Sequence, residues 1–307
     1  MGESHGDESE RHGHLVWNSL WREFGAQSPI RMARRELTES CPFCADVTSG
    51  RVPPDTQTWI RPNDFPALLP PDGECHILIY SRDHKRRFSQ MAPDEALGVV
   101  ELWREIYARL APRYVTVMTW ETSGAEIGQT QRHPHGQTYG VSIIPELLQR
   151  EITAVRDAAR QGGGCPFCES ATIESAGPRG VYSSEAWVGF VPDWARYPYQ
   201  VQLVSRRHFS AITDLGDGEA RELATWLPRL IRAWDRAYTQ PMPYMLALHQ
   251  FADPDFHFHI ELLPAGRAPG KLKLAASAEM AWGLWLNDSA PEQKASELRR
   301  LLDEVGP

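Results

Sequence analysis

Residues 133–137 are HPHGQ, and residues 257–261, which lie 124 positions later, are HFHIE. The same offset superposes the two CPFC segments of the chain, at 41–44 and 165–168. Self-similarity at a fixed offset is the sequence signature of a repeated structural unit. The chain is therefore predicted to contain two fused copies of one domain.

Each copy carries residues suited to zinc. Zinc prefers four thiolate or imidazole ligands in a tetrahedron, and a Cys-x-x-Cys turn supplies two of them. The predicted ligands are Cys41, Cys44, His84 and His133 in the first copy, and Cys165, Cys168, His208 and His257 in the second. A redox motif or a pair of packed thiols is the alternative for one CPFC segment, but the matching histidines favour two structural zinc ions.

His135 is the candidate nucleophile. Residues at i and i+2 of a strand project to the same side, so His135 is expected beside the zinc ligand His133 without binding the metal itself. A neutral imidazole can attack phosphorus and later leave, which divides one substitution into two steps. Gln137 offers an amide donor to phosphate oxygens, and Gly136 is expected to permit close approach of a phosphate or an unusual turn.

The second copy is predicted to lack this activity. At the repeat offset Glu261 takes the place of Gln137, and its carboxylate would repel a phosphate. The alternating pattern HFHIE is typical of an ordinary strand. We therefore expect His259 to be a non-reacting counterpart of His135.

The coarse pattern of elements predicts an α+β fold. Helical periodicity covers 94–111, 146–160 and 218–238, while 76–80, 114–119, 139–144 and 200–204 have the composition of strands. The polar segment 1–14 is predicted to be a disordered leader, and the glycine run within 161–165 a linker. We expect domains at 15–160 and 161–307, each with antiparallel strands and flanking helices.

Composition limits the partners and the compartment. Forty acidic against 32 basic residues give a net charge of -8, which disfavours nucleic acid as a partner. The sequence contains neither a run of about eighteen apolar residues nor the apolar core of a signal peptide. Four of the five cysteines lie in the CPFC pairs, which suits metal-bound thiolates in a reducing compartment. We expect a cytoplasmic protein that does not bind membranes.

The motif HPHGQ, preceded by CPFC at 41–44 and SRDH at 81–84, resembles the galactose-1-phosphate uridylyltransferase family of the histidine-triad superfamily. The resemblance implies two fused histidine-triad-like domains and a homodimer. It further implies that His135 becomes covalently nucleotidylated and that the first set of predicted ligands binds zinc. The zinc set thus follows both from the repeat and from the resemblance.

The resemblance also implies substrate contacts. Arg31 and Arg34 lie in a segment similar to the family's SPxRxxR motif, whose arginines lie near nucleotide phosphates, although a solvated basic cluster is the alternative. The other implied contacts are Asn63, Asp64, Thr130, Lys273 and Glu279. Thr122, Ala278 and Trp285 replace polar residues of the family. We therefore expect a sugar other than galactose, or others besides it.

The second metal has an alternative ligand set. Many family members bind it through a glutamate and three histidines, which correspond here to Glu151, His249, His257 and His259. This sequence retains both sets. Because thiolates bind zinc more tightly than a carboxylate does, we expect the cysteine set to hold the second zinc.

The sequence thus predicts a nucleotidyltransferase that moves a nucleoside monophosphate, UMP by resemblance, between sugar 1-phosphates. Its substrates would be a nucleotide sugar and a sugar 1-phosphate, and its intermediate a nucleotidyl group on His135. One alternative is a phosphorylase of nucleotide sugars or dinucleotides with inorganic phosphate as acceptor. Another is a non-catalytic, zinc-stabilised nucleotide-binding protein, against which the intact HPHGQ argues.

Overall fold

A computed structural model describes residues 13–33, 40–239 and 241–306 of the chain. Arg34 and residues 1–12 of the predicted leader lie outside the described residues. His14, the last residue of that predicted leader, is described and begins the first strand. No helix in the described ranges is both long and apolar enough to cross a bilayer.

The described residues form thirteen strands and seven α-helices. The strands are β1 (His14–Asn18), β2 (Glu23–Gln27), β3 (Trp59–Pro62), β4 (Gly73–Ile79), β5 (Thr116–Ser123), β6 (His135–Val141), β7 (Gly180–Ser183), β8 (Trp187–Phe190), β9 (Val201–Ser205), β10 (Tyr244–His249), β11 (His259–Pro264), β12 (Gly266–Ala268) and β13 (Lys271–Leu272). The helices are α1 (Pro42–Thr48), α2 (Pro93–Leu110), α3 (Glu146–Arg160), α4 (Pro166–Glu174), α5 (Asp217–Ala237), α6 (Ser277–Trp282) and α7 (Pro291–Val305).

Nine strands form one antiparallel sheet that both copies share. Its strand order is β3-β4-β6-β5-β10-β11-β9-β8-β7. Strand β5 of the first copy pairs with β10 of the second, with Thr119 opposite Leu248 and Ser123 opposite Tyr244. The antiparallel strands predicted for two domains are therefore the two halves of a continuous sheet, which meet at the β5–β10 seam.

The duplication predicted from the sequence is visible in the positions of the elements. Helices α1 and α4 begin at Pro42 and Pro166, and strands β6 and β11 begin at His135 and His259, so both pairs differ by the repeat offset. Helix α2 likewise corresponds to α5, and β5 to β10. The predicted α+β class, with antiparallel strands and flanking helices, is confirmed.

Sequence signals explain where the two long helices begin. The Glu95 carboxylate accepts a 2.8 Å hydrogen bond from the main-chain N–H of Ala92, and Glu219 accepts one of 2.7 Å from Gly216. Each bond satisfies an amide that the first helical turn leaves without a partner. The bounds of the predicted helices 94–111, 146–160 and 218–238 agree to within about one residue with those of α2, α3 and α5.

One predicted strand is misplaced. The pattern indicated 139–144, whereas β6 spans His135–Val141 and so contains most of the HPHGQ motif. The motif is not an alternating apolar pattern, but its main chain pairs with β4 on one side and β5 on the other. Ladder pairing with two neighbours determines this strand more than its own composition does.

The main hydrophobic core lies on one face of the sheet. Helices α2 and α5 pack on each other there, burying Trp103 and Trp234 completely, and α7 packs against α5. Alternation along β6 directs Gly136 toward this core, so His135 and Gln137 project from the opposite face. The reactive motif therefore stands on a rigid strand with its polar side chains away from the core.

Helix α3 crosses the predicted domain boundary. It belongs by sequence to the predicted domain 15–160, yet its Leu148, Ile152 and Val155 cluster with Phe256 of the second copy. This packing brings Glu151 close to histidines of the second half of the sheet. The division into domains at residues 160 and 161 remains a prediction.

Candidate active site and metal centres

A cleft of about 330 Å³ opens on the sheet face that carries His135. Its walls come from β4, β6, the start of α1 and the segments around residues 64 and 130. Six predicted site residues line it: Cys41, Asn63, Asp64, Thr130, His135 and Gln137. The structure thus brings both predicted catalytic residues, three of the predicted substrate contacts and one predicted zinc ligand into one cavity.

His135 is buried and its ring is fixed in one tautomer. Its Nδ1 donates a 2.8 Å hydrogen bond to the main-chain carbonyl of His133, so the neutral ring carries its lone pair on Nε2. The Phe43 ring packs against it with a centroid distance of 5.3 Å. These contacts orient a nucleophilic nitrogen beside the cleft.

Gly136 has a different role from the one expected. A Cβ at this position would lie 2.1 Å from the Tyr80 hydroxyl and 3.0 Å from the Trp120 carbonyl oxygen. That hydroxyl accepts a 3.1 Å hydrogen bond from Nε1 of Trp103. The expectation that Gly136 makes room for a phosphate is therefore corrected: the glycine accommodates Tyr80 on the core side of β6.

Arg31 lies near the cleft, joined to it through Tyr139. Its guanidinium donates to the Phe65 carbonyl at 3.2 Å and to the Tyr139 hydroxyl at 3.3 Å. The Tyr139 hydroxyl in turn lies 3.5 Å from Oε1 of Gln137. A cation thus stands close to the predicted phosphate site, while Arg34 falls outside the described residues.

Lys273 and Glu279 are not among the described residues that line the cleft. They are buried in the C-terminal segment and form an ion pair, with Nζ 3.4 Å from Oε1. In the same segment, Trp285 packs against Tyr197 and beneath the Arg196 guanidinium, which lies 5.0 Å from the indole centroid. Their roles as sugar contacts remain predictions.

The four predicted ligands of the first metal centre converge. The Cys41 and Cys44 sulfurs lie 3.7 Å and 3.6 Å from Nδ1 of His133, and Cys44 Sγ lies 3.4 Å from Nδ1 of His84. Tetrahedral zinc, with Zn–S of about 2.3 Å and Zn–N of about 2.0 Å, places sulfur and nitrogen about 3.5 Å apart. The donor set and its spacing fit a zinc ion.

The second centre repeats this geometry. Nδ1 of His257 lies 3.5 Å from Cys165 Sγ and 3.3 Å from Cys168 Sγ, and Nδ1 of His208 lies 3.5 Å from Cys168 Sγ. All four ligand atoms are within 4.8 Å of one another. This centre therefore also fits a tetrahedral metal ion.

The histidines are oriented by hydrogen bonds on the far side of their rings. Nε2 of His133 donates to the Ser81 carbonyl at 2.7 Å, and Nε2 of His257 donates to the Ser205 carbonyl at 2.9 Å. A proton on Nε2 leaves the lone pair on Nδ1, the atom that faces the sulfurs. The rings are thus held in the tautomer that binds metal.

The alternative ligands form a third, separate group. Glu151 Oε2 lies 2.9 Å from Nδ1 of His249, and Glu151 Oε1 lies 3.8 Å from Nε2 of His259. His257 is held in the cysteine set, so the two sets that the sequence presented as alternatives coexist. Burial opposes the charged form of His249, but the Glu151 carboxylate outweighs it and raises the pKa of His249.

Glu121 is a buried carboxyl residue that belongs to none of the sequence motifs. It lies opposite Gly136 in the β5–β6 ladder, and its side chain is buried on the core face. Oε1 accepts a 2.6 Å hydrogen bond from the Tyr244 hydroxyl across the seam between the copies. Burial raises the pKa of this carboxyl to about 7. The available signal was the one charged residue among the uncharged residues of β5.

Two family models match the chain in succession. The model of the galactose-1-phosphate uridyl transferase N-terminal domain matches residues 49–145, and that of the C-terminal domain matches residues 167–304. A galactose-1-phosphate uridylyltransferase from Thermotoga maritima is 30% identical over 322 residues, which cover 95% of this chain and 99% of that protein. The chain belongs to the galactose-1-phosphate uridylyltransferase family. The family member from Streptomyces lividans is also 30% identical, over 91% of this chain and 85% of its own length.

Solved structures share the fold across almost the whole chain. A structure described as a uridylyltransferase superposes with a TM-score of 0.86 and 24% identity, covering 94% of this chain and 98% of that one. An ADP-glucose phosphorylase from Arabidopsis thaliana, solved with bound ADP-glucose, superposes with a TM-score of 0.76 and 20% identity over the same shares. At these identities the likeness concerns the fold.

Proposed function

We propose that this protein is a nucleotidyltransferase that moves UMP between sugar 1-phosphates through a covalent intermediate on His135. The observation that supports it best is the fixed tautomer of His135, whose Nδ1–H···O bond leaves the lone pair on Nε2 beside the cleft. The family relation and the names of its curated members support the same reaction.

The reaction proceeds in two substitutions at one phosphorus. Nε2 of His135 attacks the α-phosphorus of a UDP-sugar, a P–N bond forms, and the bond to the departing sugar 1-phosphate oxygen breaks. An oxygen of a second sugar 1-phosphate then attacks the same phosphorus, and the P–N bond breaks to restore neutral His135. Because imidazole is both a good nucleophile and a good leaving group, each step is easier than direct exchange.

Cations and amide donors stabilise the charge on the phosphate oxygens. Gln137 lies in the cleft and Arg31 beside it, joined through the Tyr139 hydroxyl. Donors placed where negative charge develops lower the barrier most in a site that excludes water. Asn63, Asp64 and Thr130 contact the nucleotide, Arg34 its phosphates, and Lys273 and Glu279 the sugar.

The two cysteine–histidine centres each bind one structural zinc ion. The zinc ions supply folding energy and fix the strands that carry His133 and His257. In the third group, Glu151 and His249 neutralise each other through their 2.9 Å contact, which favours an ion-pair role there. The protein is expected to act as a cytoplasmic homodimer.

A phosphorylase with inorganic phosphate as acceptor is the second candidate. The second CPFC pair, Cys165 and Cys168, favours it, because family members with two such pairs include nucleotide-sugar phosphorylases. The chemistry at His135 would be unchanged, and only the group that accepts the nucleotide would differ.

Labelled substrate distinguishes these functions. UDP-glucose carrying 32P at the α-phosphate should label the protein, and the label should be acid-labile, as a phosphoramidate is. Addition of galactose 1-phosphate, glucose 1-phosphate or inorganic phosphate then identifies the acceptor that removes it. If ADP-glucose labels the protein and UDP-glucose does not, the transferred nucleotide is AMP and not UMP. If no nucleotide sugar labels it, covalent catalysis is excluded.

A further inference from the structure

Arg61 joins two carboxylates that belong to different parts of the site. It lies on β3, and one guanidinium nitrogen is 2.9 Å from Oδ2 of Asp46 in helix α1. The other nitrogen is 2.7 Å from both carboxylate oxygens of Asp64, a residue of the cleft wall. The Arg61 side chain is 15% exposed and Asp46 is 7% exposed, so the bond between them is largely shielded from water, whereas Asp64 is 53% exposed.

The Arg61 guanidinium also lies over the aromatic ring that packs against the reacting group. It stands 5.7 Å from the centroid of the Phe43 ring, and that ring packs against His135. Helix α1 carries Cys44 of the first metal centre as well as Asp46. A single side chain therefore connects the metal-binding helix, the ring beside His135 and the cleft wall at Asp64.

Charge explains why the cleft needs this connection. Asp64 is 53% exposed and lines the cavity that, under the proposed function, admits a diphosphate. An unpaired carboxylate there would repel the phosphates, whereas one held by a guanidinium is neutralised. Lone pairs of Asp64 that Arg61 does not use can still accept hydrogen bonds from N–H or O–H donors of a ligand.

We propose that Arg61 is a positioning residue for nucleotide binding: it fixes Asp64 in the cleft wall and neutralises it toward a nucleoside diphosphate sugar. This inference rests on the proposed function and deepens it. Arg61 contacts neither the reacting atoms nor the sugar, and acts through Asp64. It should therefore affect binding of the nucleotide part more than the covalent step.

Substitution of Arg61 tests the inference. Arg61→Met is expected to raise the KM for UDP-glucose about tenfold, with kcat changed less than about twofold, because binding and not the covalent step is affected. Arg61→Lys keeps the positive charge but not the guanidinium that bonds both carboxylates at once. Its KM should therefore lie between that of the unsubstituted protein and that of Arg61→Met. A KM unchanged in both variants would overturn the proposal.

Arg51 provides the matched control. It also reaches Asp46, at 3.0 Å from Oδ1, but its side chain is 65% exposed and it is not among the described residues that bond Asp64. Arg51→Met should leave KM and kcat unchanged. If KM rises equally in Arg51→Met and Arg61→Met, the defect is caused by loss of the contact with Asp46 and not by loss of the contact with Asp64. The proposal would then be overturned.

A double-mutant cycle with Asp64→Asn isolates the coupling. If Arg61 acts through Asp64, the double variant should raise KM no more than the larger single effect, and strict additivity would contradict the proposal. Dissociation constants of UMP and AMP, measured by calorimetry, provide a readout that does not require turnover. If Arg61→Met binds these nucleotides as tightly as the unsubstituted protein does, the role of Arg61 is overturned but the proposed function is not. If neither nucleotide binds the unsubstituted protein, the proposed function fails as well.

Discussion

His135 and His259 make the same main-chain contact in the two halves of the sheet. Each donates from Nδ1 to the carbonyl of the histidine two residues before it, at 2.8 Å and 2.9 Å respectively. Their other surroundings differ. His135 lines the cleft, whereas His259 has no exposed surface, stacks on Phe167 at 4.2 Å and faces Glu151. The two halves have therefore kept the same ring orientation, but only the histidine of the first half, His135, lines a cleft that a substrate could enter.

This difference predicts one reactive histidine per chain. His135→Asn should abolish both labelling by α-labelled nucleotide sugar and turnover, because it removes the nucleophile and no metal ligand. His259→Asn should keep the label, at about one nucleotide per chain by scintillation counting. Both variants should retain the metal content of the unsubstituted protein.

Labelling close to two nucleotides per chain, with the second lost in His259→Asn, would contradict this assignment. An active His135→Asn variant would contradict the covalent mechanism itself. The two variants are matched controls for each other. A variant that has lost its metal would be recognised as misfolded, and its loss of labelling would then not count as loss of the nucleophile.

Metal content is expected to follow the two cysteine–histidine centres. The purified protein should contain about two equivalents of zinc, and Cys165→Ser should lose one, together with part of its free energy of unfolding. Cys75→Ser is the matched control, since Cys75 is buried away from both centres and its thiol lies near the Leu68 carbonyl. Elemental analysis and chemical unfolding measure both effects.

Retention of both metals in Cys165→Ser would indicate that the group around Glu151 binds the second ion. In that case Glu151→Gln should release it. If the Glu151 group is an ion pair, as its 2.9 Å contact with His249 suggests, Glu151→Gln should leave the zinc content at about two equivalents.

The parts of the site that the sequence predicted are those defined by local motifs and by the repeat. The zinc ligands and His135 belong to short motifs whose chemistry is evident from residue type and spacing. Glu151 was grouped with His249 and His259 only through the resemblance, because its position depends on α3 packing across the predicted boundary onto Phe256 and not on a local motif. Arg61 has no motif either, since its two partners become close only when α1, β3 and the cleft wall assemble. Non-local packing of this kind is not contained in a periodicity or a spacing.

Glu121 should make stability depend on pH. Its pKa of about 7 in the folded protein exceeds the ordinary value of 4.5, so the folded state retains a proton that the unfolded state releases. The associated stability is fully present below pH 4.5 and is lost as the pH rises through about 7. Glu121→Gln, which keeps an acceptor for Tyr244, should gain about 2 kcal/mol relative to the unsubstituted protein between pH 5.5 and pH 8.

Urea unfolding of both metal-loaded proteins across this range measures the effect as a difference. Contributions of other titrating groups are the same in the two proteins and cancel. Glu95→Gln is the control carboxyl: burial acts to raise the pKa of Glu95, but the Ala92 amide and Arg86 together outweigh it and lower that pKa, so the variant should produce no gain at alkaline pH. Parallel stability curves for Glu121→Gln and the unsubstituted protein would show that Glu121 is ionised in the folded state.

Gly136 should tolerate no side chain as long as Tyr80 keeps its hydroxyl. A Cβ at residue 136 would lie 2.1 Å from that oxygen, so Gly136→Ala must displace either the Tyr80 ring or strand β6. Overpacking of this kind costs about 1–3 kcal/mol, and displacement of β6 should also reduce labelling of His135. Tyr80→Phe removes the oxygen but leaves the ring carbon at 2.9 Å, so Gly136→Ala combined with Tyr80→Phe should recover part of both losses.

Unfolding and labelling of the two single variants and the double variant test this coupling. Additive losses would mean that Gly136 is required for a reason other than its contact with the Tyr80 hydroxyl.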